Sequence, residues 1–239
     1  MAEYEVTADG KTILKALPLT GVRKVIANNL KESWANTVPM SGFFKYDCTN
    51  LIAYKKKLAE EGIKVSFTDL FIAIVAEAIR TVPQANAAVT EKRIEIYKDM
   101  NIGVAVAAPD GSLIVPVLKN VENMGLKEIS AGLAAIAKKT REGKLEMADL
   151  TGGTITVSST GMFDTYGFTQ IPALGQSFIV GFGTIRDEAV VLEDKTIGVR
   201  PIMYVSATAD HRVIQGDSGT LFMRTIRDGI LNPENLIKL

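Results

Sequence analysis

The sequence has very few of the residues that build disulfides and metal sites. Its 239 residues include one cysteine, Cys48, and one histidine, His211. A single cysteine excludes an internal disulfide framework and a cysteine-rich metal site. With only one histidine beside it, no structural zinc is expected either. The cysteine content predicts a reducing, intracellular compartment.

An excess of one charge and long apolar runs are also lacking. Lys+Arg and Asp+Glu both number 27, so no basic surface for nucleic acid or a membrane is expected. The opening residues, MAEYEVTADGKTILKALPLTG, contain no apolar core of a signal peptide. The longest apolar run, LFIAIVAEAI, is too short to cross a bilayer. With 47% hydrophobic residues, the composition predicts a soluble globular protein.

The order of predicted elements favours one α/β domain with a mixed sheet, preceded by a polar arm over residues 1–16. Apolar residues at helical spacing and capping residues predict helices that start after Thr20 and Thr49, cover SFTDLFIAIVAEAIRTVP and 126–142, and begin again near Asp217. Strands are predicted in SGFFKYDC, IEIY, TITVSST, SFIVGFGTI, EAVVLED and PIMYVSATA, and in two runs joined by a turn at Pro109-Asp110-Gly111.

Two polar clusters stand out as candidate sites. Ser158 and Ser159 end a β run before a glycine, which leaves their hydroxyls open to approach. His211 follows another strand and lies between Asp210 and Arg212, either of which could orient the imidazole. The residues alone leave two alternatives: an incidental surface histidine, or a group that transfers protons.

Other features have simpler explanations. Cys48 has no histidine near it in sequence, which disfavours a cysteine nucleophile. The run YKKKLAEEG is expected to be a solvated helix face, although Lys55 could meet a phosphate. Gly181 and Gly183 predict the close approach of a chain segment or of a ligand. Trp34 is assigned to packing.

Five segments in order resemble the catalytic core of the dihydrolipoamide acyltransferases, the central component of 2-oxo acid dehydrogenase complexes. They are PLTGVRKVIANNLKESW, GIKVSFTDLFIAIVAEAI, NIGVAVAAPDGSLIVPVLKN, DLTGGTITVSSTGMF and ADHRVIQGD. The resemblance covers residues 17–239. It implies the fold of chloramphenicol acetyltransferase, a two-layer α/β sandwich with a mixed sheet.

The resemblance also implies the reaction and its residues. Acyl groups pass between coenzyme A and a dihydrolipoyl thiol, with His211 as general base and Ser158 as oxyanion donor. Ser66 matches a position that contacts coenzyme A, and Lys55 stands where an arginine is frequent. Ser159 and Gly181 are assigned to the same coenzyme A site, and no metal is required.

The family forms trimers whose active site is a channel between subunits, with the histidine supplied across the interface. The resemblance therefore implies a homotrimer, which could assemble further into a cubic or dodecahedral cage. Its partners would be lipoyl domains and the other components of the complex. Neither a lipoyl nor a subunit-binding domain is expected within these residues, and the sequence leaves open whether such domains were removed or are naturally absent.

One departure bears on activity. In this chain, Gln215 stands where the family motif His-Arg-x-x-Asp-Gly has its aspartate. This replacement would leave an arginine without its charged partner. Asp217 could supply the carboxylate, but the sequence favours it as the N-cap of the last helix. Ala107 also occupies a position that is often polar in the family.

Three functions therefore remain open: an active acyltransferase core, a scaffold that assembles but has little activity because of Gln215, and an acetyltransferase that acts on a free small molecule. The acyl group and the choice between trimer and cage are also left open.

Overall fold

A six-stranded mixed sheet carries the fold in the computed structural model, which describes residues 4–107 and 113–239. The helices of this part of the chain are α1 Gly21–Ala35, α2 Thr49–Glu60, α3 Phe67–Thr81, α4 Leu126–Arg141, α5 Met147–Leu150, α6 Gly216–Leu231 and α7 Pro233–Leu236. Its strands are β1 Glu5–Val6, β2 Thr12–Ile13, β3 Pro39–Asp47, β4 Ala87–Val89, β5 Ile94–Ile96, β6 Ile102–Val104, β7 Val106–Ala107, β8 Leu113–Ile114, β9 Val117–Leu118, β10 Ile155–Ser159, β11 Phe178–Val191 and β12 Ile197–Asp210.

The sheet has the strand order β3-β12-β11-β10-β6-β9. Strand β10 runs parallel to both of its neighbours, whereas β11, β12 and β3 pair antiparallel. Antiparallel β6 and β9 close the other end. Because β10 and β6 are parallel, a crossover must connect them, and α4 lies in that connection. The sheet is mixed, as the sequence predicts.

Helices α3, α4 and α6 cover one face of the sheet and form the core with it. Phe71 of α3 stacks on Phe182 of β11 with ring centroids 4.0 Å apart. Phe222 of α6 packs on Phe178 at 4.6 Å. Full burial of such a side chain contributes about 1.5–3 kcal/mol. Helix α3 lies in the centre, because it is apolar on nearly every side and ten of its residues are buried.

The opposite face of the sheet, called here the outer face, is more polar. It presents Ser158 of β10, Gly181 of β11 and Ser206 of β12, which are neighbours in the strand register. The chain between β10 and β11 crosses this face, and Gln170 within it lies 2.6 Å from the Ser206 hydroxyl. Ser33 of α1 donates a hydrogen bond to the Pro172 carbonyl, which joins α1 to the same segment.

Most of the predicted helices are confirmed, although two caps differ. Cys48, not Thr49, occupies the N-cap of α2, and Thr49 is bonded to the Asp47 carboxylate. Gln215, not Asp217, is the N-cap of α6, which begins one residue earlier than predicted. The capping box at α6 forms because the backbone N–H of Gln215 donates to the Ser218 hydroxyl.

The strand predictions differ from the structure in more than one place: β4 lies in a segment with no predicted strand, and one long strand is wrongly divided. SFIVGFGTI and EAVVLED are a single strand, β11, which continues through a change of register between Phe182 and Ile185. An irregularity of this kind bends a strand without ending it. Gly183 lies there because a Cβ at that position would overlap the Tyr166 carbonyl oxygen. The predicted turn at Pro109-Asp110-Gly111 lies outside the described residues.

The start of the chain is more regular than predicted. β1 and β2 pair as a short antiparallel ribbon within residues 1–16. Trp34, which the sequence assigns to packing, remains 47% exposed in the single chain. Within the described ranges, no helix combines the length and the apolar character needed to cross a bilayer.

Candidate active site

His211 directly follows β12 and is exposed. Its backbone N–H donates to the Val38 carbonyl at 2.8 Å, which ties the strand end to the chain between α1 and β3. Among the residues that the structure describes, the imidazole has no hydrogen-bond partner. No residue in the described ranges therefore engages the imidazole, which is exposed to a ligand or to another subunit.

The charged residues on either side of His211 pair with each other. Asp210 is 3% exposed, and its carboxylate accepts hydrogen bonds from the Arg212 backbone N–H and Nε, each at 3.0 Å. Burial alone would raise the pKa of Asp210, but the bonds from Arg212 outweigh it and hold that pKa below its usual value. The sequence offers both residues as possible orienting partners of the imidazole, but they bond to each other and neither hydrogen-bonds the ring.

Ser158 lies on the outer face near the end of β10 and is 8% exposed. Its strand neighbours Ile155 and Val157 point into the core, so alternation directs Ser158 to the other side. Within the described part of the chain its hydroxyl makes no hydrogen bond. A partly accessible hydroxyl without a partner can donate to a bound oxyanion. Ser159, beside it in the chain, faces Phe182 in the register.

One chain does not bring Ser158 and His211 together. Ser158 pairs with Gly181, which pairs in turn with Ser206, and His211 lies five residues further along β12. At about 3.3 Å per residue along a strand and about 4.8 Å between strands, the two Cα atoms are roughly 19 Å apart. A general base and an oxyanion donor must both reach one reacting carbonyl, so Ser158 and His211 of a single copy could not fill these two roles together.

The close approach predicted at Gly181 is made by a segment of this chain. A Cβ at position 181 would overlap the amide of Gln170 and lie 3.0 Å from the Ser206 hydroxyl. Gln170 is 3% exposed and also lies 3.3 Å from the Thr208 hydroxyl. Of the two alternatives left by the sequence, a chain segment or a ligand, the segment occupies this space. Gln170 had no signal in the sequence.

This contact makes a testable prediction. Gly181→Ala should lower the free energy of unfolding by about 1–3 kcal/mol, because the added methyl group displaces the buried Gln170 amide. Gly216→Ala is the matched control, since a Cβ there meets nothing within 4 Å, and its effect should stay within about 0.5 kcal/mol. Urea unfolding of both variants measures the difference. Equal stability of the two would show that position 181 tolerates a side chain.

The structure brings Lys55 close to the start of α3. Its ammonium lies 5.3 Å from the centroid of the Phe67 ring, a cation–π distance. Ser66 is exposed and caps α3, with its hydroxyl 2.7 Å from the Asp69 carboxylate. Phe67 was missed by the sequence reasoning, and only its place after Ser66 could have indicated it.

Stacked aromatic rings connect this corner to the strand that follows Ser158. Phe67 stacks on Phe71 at 6.2 Å, and Phe71 stacks on Phe182, which faces Ser159 in the register. The residues assigned to coenzyme A from the sequence therefore lie on elements that pack against each other. Gly181 differs from them, because its open side is filled by Gln170.

The remaining candidates have simple surroundings. Cys48 is fully buried, and burial raises the pKa of its thiol to about 12, which is unsuitable for a nucleophile near neutral pH. The Gln215 side chain is exposed, and Asp217 bonds to the backbone of Ser218 in the first turn of α6. Ala107 ends the short strand β7 and is exposed. The described residues contain no cluster of three or more potential metal ligands.

The architecture defines the class of fold. A solved chloramphenicol acetyltransferase matches with a TM-score of 0.57 over 85% of this chain and 94% of its own, at 17% identity. That likeness shows the fold alone, and it confirms the predicted two-layer α/β sandwich with a mixed sheet. The family follows from the sequence. Residues 12–238 match the model of the 2-oxoacid dehydrogenases acyltransferase (catalytic domain), and the chain belongs to this family.

Named relatives agree with this assignment. A dihydrolipoyllysine-residue succinyltransferase component of the 2-oxoglutarate dehydrogenase complex from Rickettsia felis is 36% identical over 92% of this chain and 55% of its own length. A lipoamide acyltransferase component of the branched-chain alpha-keto acid dehydrogenase complex from Bacillus subtilis is 36% identical over 89% and 50%. The chain thus spans about half the length of these relatives.

Solved structures extend the likeness. Dihydrolipoamide acetyltransferase from Azotobacter vinelandii matches with a TM-score of 0.87 at 26% identity, over 99% of each chain. The cubic core of a pyruvate dehydrogenase multienzyme complex matches with the same TM-score, identity and coverage. The family resemblance inferred from the five ordered motifs is therefore confirmed.

Proposed function

We propose that this chain is the catalytic core of a dihydrolipoamide acyltransferase, which moves an acyl group between coenzyme A and a dihydrolipoyl thiol. One match carries the proposal. The Azotobacter vinelandii relative was studied for the catalytic roles of a serine, a histidine and an asparagine four positions after that histidine. This chain has Ser158, His211 and a side-chain amide, Gln215, four positions after His211.

The proposed reaction is a thioester exchange. Neutral His211 accepts the proton of the attacking thiol, and the thiolate forms a bond to the acyl carbonyl carbon. The Ser158 hydroxyl donates a hydrogen bond to the oxyanion of the tetrahedral intermediate. The bond to the original sulfur then breaks, and the departing thiolate takes the proton back from the imidazolium. General base catalysis contributes about 10²–10⁴-fold, and an oxyanion donor about 10²–10³-fold.

The separation of Ser158 and His211 supports a site shared between subunits. Because one chain keeps the two residues roughly 19 Å apart along the sheet, His211 of one copy would act with Ser158 of another. A homotrimer supplies three such sites. Assembly into a cage is a further step of the proposal, supported by the cubic core of the related complex. Lipoyl domains and other components of a 2-oxo acid dehydrogenase complex are the proposed partners.

The scaffold alternative rests on Gln215, and the surroundings of Arg212 weigh against it. The sequence suggested that loss of a carboxylate at position 215 would leave an arginine unpaired. Arg212 is paired with Asp210 instead, so Gln215 does not deprive Arg212 of a partner. If the scaffold alternative holds, Gln215→Asp should raise activity from near zero. If the proposal holds, the unmodified chain is already active.

The same proposal covers the extent and location of the domain. Residues 17–239 would be the acyltransferase core and residues 1–16 an arm. The chain would work in the cytoplasm of a bacterium or in the mitochondrial matrix, in line with bacterial relatives and one named mitochondrial in Schizosaccharomyces pombe.

A panel of acyl-CoA donors with free dihydrolipoamide tests the proposal. Acetyl-, succinyl- and branched-chain acyl-CoA belong in the panel because the two relatives with different acyl groups are equally similar to this chain. We expect transfer from one of them to dihydrolipoamide, and none to chloramphenicol as a small-molecule acceptor. Transfer to chloramphenicol alone would favour an acetyltransferase that acts on a free small molecule. An assembled particle without any transfer would favour the scaffold. The native mass, measured in parallel, distinguishes a trimer from a cage.

The contact of Lys55 with Phe67 predicts a specific effect on coenzyme A binding. Phe67→Leu should raise KM for coenzyme A by about 2- to 5-fold, because a cation–π contact at an exposed site contributes about 0.5–1 kcal/mol and keeps the ammonium in place. The value of kcat should not change. Phe67→Tyr should retain the low KM, since it keeps the ring.

Lys55→Ala and Lys56→Ala provide the comparison. Lys56 is a neighbouring exposed lysine whose closest carboxylate, Glu60, is 4.0 Å away, so its removal should leave KM unchanged. Lys55→Ala combined with Phe67→Leu should be no worse than Lys55→Ala alone. Additive effects of the two changes would show that the ring and the ammonium act separately.

A further inference from the structure

We propose that Asp210 and Arg212 form a clamp that positions His211 for catalysis, with Asp210 as the buried anchor. The proposal rests on the acyl transfer proposed above and adds two positioning residues to it. Neither of them touches the reacting atoms. They act on the direction in which the imidazole leaves the backbone.

The imidazole has no local support of its own. His211 is exposed, and its ring has no hydrogen-bond partner among the described residues. The described contacts at His211 therefore fix only the direction in which its side chain leaves the backbone. A general base has to reach its proton at about 2.6–3.2 Å, so a loosely held backbone at this position would reduce catalysis.

The backbone around His211 is fixed on both sides. The N–H of Asp210 donates to the Ser177 carbonyl at 2.8 Å, which keeps this residue in the sheet. Its carbonyl accepts hydrogen bonds from the N–H groups of Val213 and Ile214 at 2.9 Å, which closes a tight turn. His211 stands at the beginning of that turn, with its own N–H on the Val38 carbonyl.

The Asp210 carboxylate also forms hydrogen bonds to Arg212, on the other side of His211 in the chain. It accepts from the Arg212 backbone N–H at 3.0 Å, from Nε at 3.0 Å and from a terminal guanidinium nitrogen at 2.6 Å. The last two bonds form the bidentate fork typical of arginine with a carboxylate. Arg212 also donates to the Asn36 carbonyl, so the clamp reaches the residue after α1. The residues immediately before and after the histidine are thus bound to each other and to a helix end.

Lysine cannot replace this arginine. Its ammonium keeps the charge but presents no planar fork, so the bidentate contact is lost. Arg212→Lys therefore loosens the clamp while the Asp210 carboxylate keeps a cation nearby. Asp210→Asn removes the buried charge and keeps the shape of the side chain. Because a displacement of about 1 Å can cost about 10²-fold in rate, we expect kcat to fall by about 10- to 100-fold in either variant. Both KM values should stay within about twofold.

The experiment uses the assembled protein and its single histidine. Solid-state ¹⁵N spectra of sedimented protein, labelled at histidine, report on one imidazole only. Arg212→Lys should shift and broaden the imidazole resonances and lower kcat. Arg227→Lys and Asp228→Asn are the matched controls, because they alter an exposed pair of the same kind on α6. Both controls should retain the wild-type spectrum and rate.

A double variant separates positioning from stability. Asp210→Asn with Arg212→Gln removes both charges. Because Arg212→Gln alone leaves the buried Asp210 carboxylate unpaired, the melting temperature of the double variant should recover relative to that of Arg212→Gln. If the clamp positions His211, kcat stays low in this variant. Recovery of kcat together with the melting temperature would overturn the proposal, as would an Arg212→Lys protein with wild-type kcat and an unchanged histidine spectrum.

Failure of the proposed function has a different signature. A wild-type protein without transfer activity would refute the acyltransferase assignment, while the histidine spectra would still show whether the clamp orients the imidazole. If Asp210→Asn fails to fold, Arg212→Lys decides the question alone, because it keeps the charge balance of the pair.

Discussion

Replacing His211 with alanine should, under the proposed function, lower the transfer of an acyl group from acyl-CoA to dihydrolipoamide by about 10²–10⁴-fold, because the attacking thiol would lose the base that accepts its proton. The fold should survive, since the side chain is exposed and makes no hydrogen bond among the described residues. Thioester formation with dihydrolipoamide measures the rate, and the melting temperature checks the fold.

The pH dependence tests the role more closely. At a pH near the pKa of the thiol, much of the substrate is already thiolate and no longer needs a base. The ratio of the wild-type rate to the His211→Ala rate should therefore shrink as the pH rises through that range. His211→Gln, which keeps a polar side chain but cannot accept the proton, should behave like the alanine variant. A His211→Ala protein with the full rate at neutral pH would exclude this residue as the base.

The second large effect is recovery of activity in mixed particles. Ser158→Ala alone should lower kcat by about 10²–10³-fold through loss of the proposed oxyanion donor. When Ser158→Ala and His211→Ala chains are unfolded together and reassembled in equal amounts, about a quarter of the sites should pair an intact serine with an intact histidine from a neighbouring copy. About a quarter of wild-type activity should then return, although neither variant is active alone.

The controls for this prediction are available in the same chain. Chains that carry both substitutions can be mixed with His211→Ala chains. Particles of this mixture contain no histidine at position 211, so no activity should return. Native mass of the reassembled particles verifies that copies have mixed. Absence of recovery from properly mixed particles would mean that both residues act within one copy, which contradicts the distance set by the strand register.

Local patterns made most of the fold predictable. The helical spacing of apolar residues and the glycine and proline positions predicted α1, α2, α3, α4 and α6 to within a few residues. Strand β11 was divided incorrectly, because a glycine and a change of polarity within a strand look like its end. Gln215 was not expected as an N-cap, since aspartate is a much more frequent cap than glutamine.

The candidate site was predictable only in part. Ser158 and His211 could be named from the sequence because each follows a β run in a polar segment. The distance between them could not be predicted, because it depends on which residues pair across β10, β11 and β12. Pairing between strands so far apart in the sequence has no local signal. The ion pair of Asp210 with Arg212 could not be predicted for a related reason. Asp210, His211 and Arg212 are adjacent and permit several pairings, and the burial of Asp210 in the fold selects one of them.

The separation of Ser158 and His211 along one sheet also affects what an isolated chain can do. A freshly synthesised copy that has folded but found no neighbour holds the serine and the histidine too far apart to act on one thioester. Under the proposed function, such a copy could not consume acyl-CoA before it joins the particle. Specific activity should accordingly fall on dilution as subunits dissociate, so that protein concentration itself switches the enzyme on.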